Sequence, residues 1–212
     1  MYSLYVPLLN NRNMMRRNDN MQLKPVTQKS EYTAIEKIYN ESFPDNERAP
    51  MRMLKKRAKQ GKADFLAICD GETIAGMCYV VCCKDLAYLF YIAVDSSLRG
   101  KGYGTQAIAG LLEKYRGKRF FLALEQLDES AENYAQRVKR HEFYRSCGLH
   151  DLPFRLKEAT VVFSAMGAKL PAEKDSSSDE TFTVLPEEYK ELTDRYLGFF
   201  MRHMVDMRLL ED

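Results

Sequence analysis

Residues 89–115 read LFYIAVDSSLRGKGYGTQAIAGLLEKY and join a strand pattern, a glycine-rich loop and a helix pattern. The first six residues are apolar, β-branched or aromatic, which is typical of a buried strand. After the loop, Ile108, Leu111, Leu112 and Tyr115 recur at helical spacing. A glycine-rich loop at this place leaves the first helical amides unpaired, beside the positive end of the helix dipole. The stretch therefore predicts a site for a phosphate or pyrophosphate group.

The loop itself, RGKGYG, matches neither of the two best-known phosphate-binding loops. A dinucleotide-binding fingerprint needs G-x-G-x-x-G, but the position three residues after Gly104 is Ala107. A Walker A loop needs G-K-[ST], but Lys101 is followed by Gly102. What remains is Arg99-x-x-Gly102-x-Gly104, and a plain glycine-rich turn between strand and helix is the alternative interpretation.

The composition is that of an ordinary globular protein. The chain has 212 residues, enough for one core with a small appendage, and is 45% hydrophobic and 29% charged. Its net charge of +2 gives no electrostatic reason to expect a nucleic acid or a membrane as partner. No apolar run reaches the ~18 residues of a membrane span, and a signal-peptide core is missing, so a cytoplasmic protein is expected.

The cysteines and histidines show no metal-binding spacing. The five cysteines include no C-x-x-C pair, and four lie in apolar strand-like segments: Cys69, Cys78, Cys82, Cys83, with Cys147 elsewhere. Buried free thiols are therefore predicted rather than disulfides or metal ligands. The three histidines, His141, His150 and His203, are scattered and are interpreted as structural or solvated. No metal is expected.

The segments before the loop predict two helices and an antiparallel meander. Ser30 is placed as the N-cap of a helix that ends before Pro44, and Pro50 suits the first turn of the next helix. Asp70-Gly71 is a hairpin signal between two strand-like runs. A further tight turn leads into the strand at 87–94, which feeds the glycine loop.

The segments after the loop predict further strands and two helices. Residues 118–125 are expected as a buried strand parallel to the previous one, and residues 128–130 as the cap of a long helix. Strand candidates follow around 154–156 and 160–165. Residues 186–210 carry an apolar helix face that packs on the core or on a partner. The predicted fold class is α/β (α+β), with a mixed, mostly antiparallel sheet of six to seven strands flanked by helices.

Domain boundaries follow from the same patterns. Residues 1–20 show no sustained period and are interpreted as a flexible extension, with Met21 as an alternative start of the protein. Residues 21–170 form the main domain, which opens with a short edge strand. Residues 171–185 are a polar linker or strand, and residues 186–212 are the C-terminal helix.

Two further segments place the loop in a family. Arg99-x-x-Gly102-x-Gly104 resembles the R/Q-x-x-G-x-G/A signature of the GNAT (GCN5-related N-acetyltransferase) superfamily. Residues 143–149, FYRSCGL, resemble the F-Y-x-x-x-G-F segment, which lies roughly 40 residues after the loop in those enzymes, as here. Residues 43–48, FPDNER, resemble the F-P-x-x-E-R loop of a bacterial branch. The chain is identified as a member of this superfamily.

The resemblance implies the GNAT fold and acetyl-CoA as co-substrate. The loop would hold its pyrophosphate through the residues Arg99, Gly100, Lys101, Gly102, Tyr103 and Gly104. The two loop cations add charge or are simply solvated. In the family the fourth strand bulges and splays from the fifth, and this frees the main chain for the pantetheine arm. Here that role falls to Ile92, Ala93 and Val94, one of whose amides would stabilise the oxyanion.

The resemblance also assigns the chemistry. Tyr144 matches the tyrosine that protonates the coenzyme A thiolate, although it could only pack its helix on the sheet. Glu125, at a strand end, could deprotonate the amine through water or be a surface carboxylate. Glu47 could line the acceptor pocket or pair with Arg48. Arg137 stands where many GNAT enzymes carry a cofactor-contacting asparagine, so it is assigned to the cofactor as a departure from the pattern.

The predicted function is transfer of an acetyl group from acetyl-CoA to a primary amine of a small molecule or protein. The sequence does not identify that amine, because fold does not settle substrate. Whether the protein forms a homodimer is also left open. The alternative is a non-catalytic acyl-CoA-binding or regulatory protein that keeps the fold; the arginine departure and the apolar C-terminal helix motivate it.

Overall fold

The computed structural model describes residues 20–172, 182–201 and 206–211. Within them lie five α-helices: α1 (Lys29–Ser42), α2 (Met51–Lys59), α3 (Tyr103–Lys114), α4 (Tyr134–Ser146) and α5 (Pro186–Met201). There are eight strands: β1 (Met21–Pro25), β2 (Asp64–Asp70), β3 (Thr73–Cys83), β4 (Leu86–Val94), β5 (Arg119–Glu125), β6 (His150–Glu158), β7 (Val161–Ala168) and β8 (Met207–Glu211).

All eight strands belong to one sheet, in the order β1-β2-β3-β4-β5-β7-β6-β8. Only β4 and β5 pair in parallel, and the other neighbours are antiparallel. The predicted fold class is confirmed, including the edge strand at the start of the domain. The sheet has one strand more than the upper end of the prediction, because β8 was not foreseen.

The centre of the sheet is irregular in a way that matters for the site. Between β3 and β4 the register shifts: Tyr79 lies opposite Tyr91, but Val80 lies opposite Leu89. Phe90 is therefore an extra residue in β4, which is a β-bulge. On the other side β4 pairs with β5 only up to Leu89, so the second half of β4 has no partner there. The two central strands separate and leave an opening at their C-terminal ends.

The two faces of the sheet carry different helices. One buried cluster joins α1, α2 and α5 to the sheet and is rich in aromatic rings. The other joins α3 and α4 to the opposite face. In the first cluster Tyr196 of α5 packs on Tyr79, with ring centroids 6.1 Å apart, and on the bulge residue Phe90 at 5.6 Å. Helix α5 therefore supports the bulged part of β4 directly.

Polar contacts also hold α5 on the sheet. Arg119 of β5 binds Asp85, at 2.8 and 3.0 Å, and Glu188 of α5, at 2.6 and 2.9 Å. The carboxyl of Glu158 on β6 accepts a hydrogen bond from Tyr189 of α5 at 2.9 Å and one from Tyr88 of β4. The C-terminal segment is thus part of the core, the first of the two alternatives that the sequence left open.

Three predicted boundaries are wrong. Helix α1 begins after Gln28 rather than Ser30, because the Glu31 carboxylate reaches back to the Gln28 amide at 2.8 Å. Residues 128–130 form a local turn, closed by Asp128 on the Ser130 amide, and α4 begins only after Asn133.

The third wrong boundary is the C-terminal helix expected over 186–210. Gly198 has a non-helical backbone with φ 71°, the helix ends at Met201, and β8 follows and pairs with β6. The helical spacing of apolar residues could not reveal this, because the unpaired edge of β6 that captures β8 is a tertiary feature.

The remaining expectations concern the termini, the thiols and membranes. The predicted flexible extension, apart from its last residue, and most of the linker (173–181) lie outside the described residues. All five cysteines are free thiols, as predicted. In the part of the chain that the structure describes, every helix is too short or too polar to cross a membrane.

Candidate active site

The opening between β4 and β5 exposes main-chain groups of β4. The Asp95 amide donates to the Ala75 carbonyl at 2.8 Å, so the backbone N–H and C=O groups of Asp95 point toward β3. Because backbone groups alternate in direction along a strand, those of Ala93 also face β3, whereas those of Ile92 and Val94 face the opening. Of the three residues predicted to serve the pantetheine arm, two thus present their amides on the open side.

The glycine loop begins directly after this strand end. Asp95 accepts the Ser97 amide at 2.9 Å and so closes the first turn. Gly100 and Gly102 then adopt positive φ angles of 74° and 87°, a conformation that other residues rarely adopt. Gly102 is the N-cap of α3, so the free amides of the first helical turn point out of the loop.

The cations of the loop lie in different settings. The Arg99 side chain folds back over the strand end: its Nε donates to the Val94 carbonyl at 3.3 Å, and its Nη2 is 3.5 Å from Ser42 Oγ. Lys101 is exposed at the tip of the loop. Arg99 therefore bridges the strand, the loop and α1, while Lys101 presents its charge to solvent.

The loop and the F-Y-x-x-x-G segment meet in space. A Cβ atom added to Gly104 would lie 3.2 Å from Cζ of Phe143, so α3 and α4 approach closely there. The Tyr103 hydroxyl donates to Asp70 at 2.6 Å and ties the start of α3 to the β2–β3 hairpin. Two motifs about 40 residues apart thus form one surface beside the opening.

Tyr144 lies on α4 in the same cluster as the open strand end. The residue is 7% exposed, and partly buried Ile92 and Val94 pack against its cluster. Burial raises the pKa of the Tyr144 hydroxyl to about 12. At neutral pH the hydroxyl therefore keeps its proton and can donate it.

Glu125 ends β5 at the opening and is held by side chains of α4. Its carboxylate accepts Asn133 Nδ2 at 3.0 Å, forms an ion pair with Arg137 Nε at 3.6 Å and is contacted by the Arg140 guanidinium. His141 Nε2 lies 2.9 Å from the Glu125 carbonyl oxygen, which supports the structural interpretation of that histidine. Glu125 is at the strand end, as predicted, but within an ion-pair network.

Arg137, assigned to the cofactor from its place in the motif, makes contacts at this strand end, and its cofactor role stays a prediction. Its Nε donates to Asn133 Oδ1 at 2.7 Å and its Nη1 to the Gln126 carbonyl at 2.8 Å. These partners lie at the end of β5 and the start of α4. The guanidinium is thus built into the wall around Glu125.

Glu47 lies across the opening, in the turn between α1 and α2. The Tyr91 hydroxyl donates to the Glu47 carbonyl at 2.9 Å and accepts the Ala49 amide at 3.1 Å. The Tyr39 hydroxyl donates to the Ala49 carbonyl at 3.2 Å. Tyr91 therefore fixes this turn to the bulged half of β4, and Tyr39 fixes it to α1. Arg48 binds Asp45 and Asn40, the latter at 2.8 Å, so the alternative pairing of Glu47 with Arg48 is not formed.

Sequence reasoning missed three residues of this site: Tyr91, Asn133 and Arg140. Arg140 stands four residues before Tyr144 and three after Arg137, which places the three on adjoining positions of one helix. That spacing could have indicated that Arg140 lies beside the other candidate site residues. Nothing in the sequence pointed to the contact between Tyr91 and Glu47, which are separated by 44 positions.

The residues present fit an acyl-CoA. The unpaired amides of β4 can bind the pantetheine arm, and the amides of the glycine loop can bind a pyrophosphate. Gly104 lets the start of α3 pack closely on the Phe143 ring of α4, since an added Cβ would lie 3.2 Å from that ring. Among the described residues, no group of three or more histidine, cysteine, aspartate or glutamate side chains is arranged to hold a metal ion.

The chain belongs to the acetyltransferase (GNAT) family, whose model matches residues 32–149, more than half of the sequence. The predicted family is therefore confirmed, and with it the enzyme class, a GNAT-type N-acetyltransferase. The bacterial branch suggested by the F-P-x-x-E-R loop stays a prediction. No curated protein matches the chain in a sequence comparison.

Solved structures share the fold at low identity. A protein assigned to the GNAT acetyltransferases from Bacteroides thetaiotaomicron is 22% identical, with a TM-score of 0.55 over 73% of this chain and 90% of that one. The ribosomal-protein-S18-alanine N-acetyltransferase of Escherichia coli is 18% identical, with a TM-score of 0.54 over 77% and 99%. An aminoglycoside 6'-N-acetyltransferase in complex with coenzyme A is 14% identical, with a TM-score of 0.54 over 69% and 96%.

Proposed function

We propose that the protein transfers the acetyl group of acetyl-CoA to a primary amine by direct attack of the amine on the thioester. The observation that carries the proposal is the opening between β4 and β5, with the glycine loop at one end and Tyr144 beside it. Acetyl-CoA supplies the activated acyl group. One of the structurally similar proteins is a complex with coenzyme A, which agrees with this choice of co-substrate.

The chain's own residues would hold the co-substrate in two places. The loop from Arg99 to Gly104 binds the pyrophosphate through backbone amides and the helix dipole, and Lys101 adds positive charge. The open amides of Ile92 and Val94 bind the pantetheine arm, and one of them stabilises the charge that develops on the thioester oxygen. Arg99, by holding the Val94 carbonyl, fixes the strand end in place.

Tyr144 then supplies the proton for the leaving thiolate. A phenol whose pKa is raised to about 12 by burial stays protonated until a stronger base forms next to it. A carboxylate of the opening takes the proton of the ammonium; the sequence assigned this role to Glu125 and placed Glu47 at the acceptor. The acceptor enters from the side of Glu47, since α3 and α4 close the other face.

The acceptor is a small molecule or a protein that presents a free primary amine. Two structurally similar enzymes are named for such acceptors, an alanine of ribosomal protein S18 and an aminoglycoside. A suitable assay panel is therefore a polyamine, an aminoglycoside and a peptide with a free N-terminal alanine.

Tyr144→Phe tests this function. The variant keeps the ring but removes the acidic proton, so kcat with the best amine is expected to fall by about 100-fold. The shift in melting temperature caused by acetyl-CoA should stay as in the wild-type chain. Tyr115→Phe is the matched control: it removes a buried hydroxyl that binds Asp64 at 2.6 Å, away from the opening, and should leave kcat unchanged.

A non-catalytic acyl-CoA-binding protein is the second candidate. The observation that favours it is the engagement of Arg137 with Gln126 and Asn133 instead of a free asparagine at that place. Stabilisation by acetyl-CoA without acetylation of any amine in the panel would support this candidate and contradict the first. Absence of stabilisation by any acyl-CoA would contradict both.

A further inference from the structure

The two carboxylates at the opening have different surroundings. The Glu125 carboxylate accepts hydrogen bonds from Asn133 Nδ2 and from the Arg140 guanidinium, and Arg137 Nε lies 3.6 Å from it as an ion pair. Arg137 is itself anchored on Asn133 and on the Gln126 carbonyl. Glu125 is therefore an anion that one amide and two guanidinium groups hold in place before a substrate arrives.

Glu47 has the opposite situation. Its backbone is fixed by the Tyr91 hydroxyl, yet its side chain is exposed and forms no ion pair within the described part of the chain. The neighbouring cation, Arg48, is taken by Asp45 and Asn40. The lone pairs of the Glu47 carboxylate are thus open to water or to an incoming ammonium group.

The carboxylate of Glu47 is near enough to the Glu125 network to interact with its charges. Desolvation and the negative charge of Glu125 raise the pKa of Glu47, against the opposing positive charges of Arg140 and Arg137. From β4, the charged or titratable group that faces it is Tyr91, whose own pKa is also raised by burial. A raised pKa makes the Glu47 carboxylate a stronger base toward an incoming ammonium group.

Building on the acetyl transfer proposed above, we propose that Glu47 accepts the proton that the acceptor ammonium must lose, and that Glu125 is a positioning residue. Arg137 and Arg140 hold Glu125 at the end of β5, where its charge attracts and orients the cationic amine. This assignment differs from the sequence-based interpretation, in which Glu125 was the proton acceptor or a surface carboxylate and Glu47 lined the acceptor pocket or paired with Arg48.

Glu47, Tyr144 and the leaving thiolate account for every proton and electron pair that moves in this reaction. The ammonium group gives one proton to Glu47, directly or through one water, and the free amine attacks the thioester carbonyl carbon. A C–N bond forms and the C–S bond breaks, with the electron pair leaving on sulfur. Tyr144 protonates the thiolate, and the second proton of the former ammonium group restores Tyr144. Glu47 releases its proton to solvent.

The test compares Glu47→Gln, Glu125→Gln and Glu41→Gln in the full chain. Glu41 is an exposed carboxylate at the end of α1, 4.0 Å from Lys37, so it controls for loss of one negative charge. The measurement is kcat/KM against pH with the best amine of the panel. The acetyl-CoA-induced shift in melting temperature is measured in parallel.

For Glu47→Gln we expect kcat/KM at pH 7 to fall by about 100-fold, with loss of the acidic limb of the pH profile. Part of the activity should return at high pH, where more of the amine is already free. Glu125→Gln should raise KM about 10-fold and keep the acidic limb, since it removes only one charge–charge attraction. Glu41→Gln and the acetyl-CoA shift should be unchanged.

Other outcomes overturn the assignment. If Glu125→Gln removes the acidic limb while Glu47→Gln keeps it, Glu125 is the proton acceptor. Full activity of Glu47→Gln contradicts the inference and leaves acetyl transfer intact. No turnover of any amine by the wild-type chain contradicts the proposed function, and this inference with it.

Discussion

The glycine loop and the Glu47 turn both border the opening, and they are built in different ways. The glycine loop owes its shape to two glycines with positive φ and to the start of α3, all within six residues. The Glu47 turn owes its position to hydroxyl groups of Tyr39 and Tyr91, the second 44 positions away. The proposed co-substrate end of the site is thus local in sequence, and the proposed acceptor end is assembled by the fold.

The two segments therefore differ in what their motifs indicate: the glycine loop indicates its ligand, whereas the F-P-x-x-E-R segment that contains Glu47 leaves the acceptor open. A backbone anion site needs glycine at fixed positions, so any change there alters its function at once. A turn fixed by distant hydroxyl groups leaves its own sequence free to vary and to suit another acceptor. Variants at the glycine loop, at the Glu47 turn and at the docking of α5 test this difference.

The largest effect is expected from Gly102→Val. A β-branched side chain at φ 87° costs about 1–2 kcal/mol in backbone strain and places a Cβ atom where the pyrophosphate would approach. Affinity for acetyl-CoA should fall at least about 100-fold, equivalent to ~2.7 kcal/mol. Isothermal titration calorimetry measures it.

Gly61→Val is the matched control for that variant. Gly61 has φ 66° and no atom within 4 Å of an added Cβ, and it lies after α2. The Gly61→Val variant should be less stable because of the backbone strain, but it should bind acetyl-CoA as tightly as the wild-type chain. Equal loss of affinity in both variants would show that general destabilisation, not the loop, is responsible.

An intermediate effect is expected from Tyr91→Phe. Without the hydroxyl, the Ala49 amide and the Glu47 carbonyl lose their partner and the turn loosens, so kcat/KM should fall about 10-fold and stability by ~1 kcal/mol. Affinity for acetyl-CoA should hold, because the glycine loop does not depend on the turn.

Tyr79→Phe serves as its control. The Tyr79 hydroxyl donates to the Leu54 carbonyl at 3.1 Å, so the variant also loses one tyrosine-to-backbone hydrogen bond in the same aromatic cluster. It should lose similar stability and keep its kcat/KM. If both variants lose activity alike, the link between Tyr91 and the turn has no special role in catalysis.

The smallest effect concerns the docking of α5, which supports the bulge behind Tyr91. Its hydrogen bonds to Arg119 lower the pKa of Glu188 in the folded protein. The pair therefore stabilises the fold above the ordinary glutamate value of about 4.3, and the contribution is lost as pH falls through the lower folded-state pKa.

Arg119→Met tests this contribution by urea unfolding at pH 7 and at pH 3. We expect the variant to be less stable by ~1 kcal/mol at pH 7, where Glu188 is partly exposed and the pair is screened by solvent. The difference from the wild-type chain should shrink at pH 3. A difference that does not depend on pH would mean that Arg119 acts through packing alone.

The family, the sheet with its Asp70-Gly71 hairpin, and the glycine loop could all be predicted from the amino-acid sequence alone. These features rest on short-range rules: apolar periodicity, turn chemistry and glycine at positive φ, all of which are expressed within a few residues. The same locality explains the errors. A helix pattern over 186–210 could not show that β6 has a free edge to capture β8.

The residues that line the opening come together only in the folded chain. The tertiary structure brought Glu47 to Tyr91, and it closed Arg137 and Arg140 around Glu125, so that two carboxylates that look alike in sequence received different environments. The physical reason is that a carboxylate's readiness to take a proton depends on the donors and charges around it. Here these donors and charges come from α4, β4 and β5, which only the fold brings together.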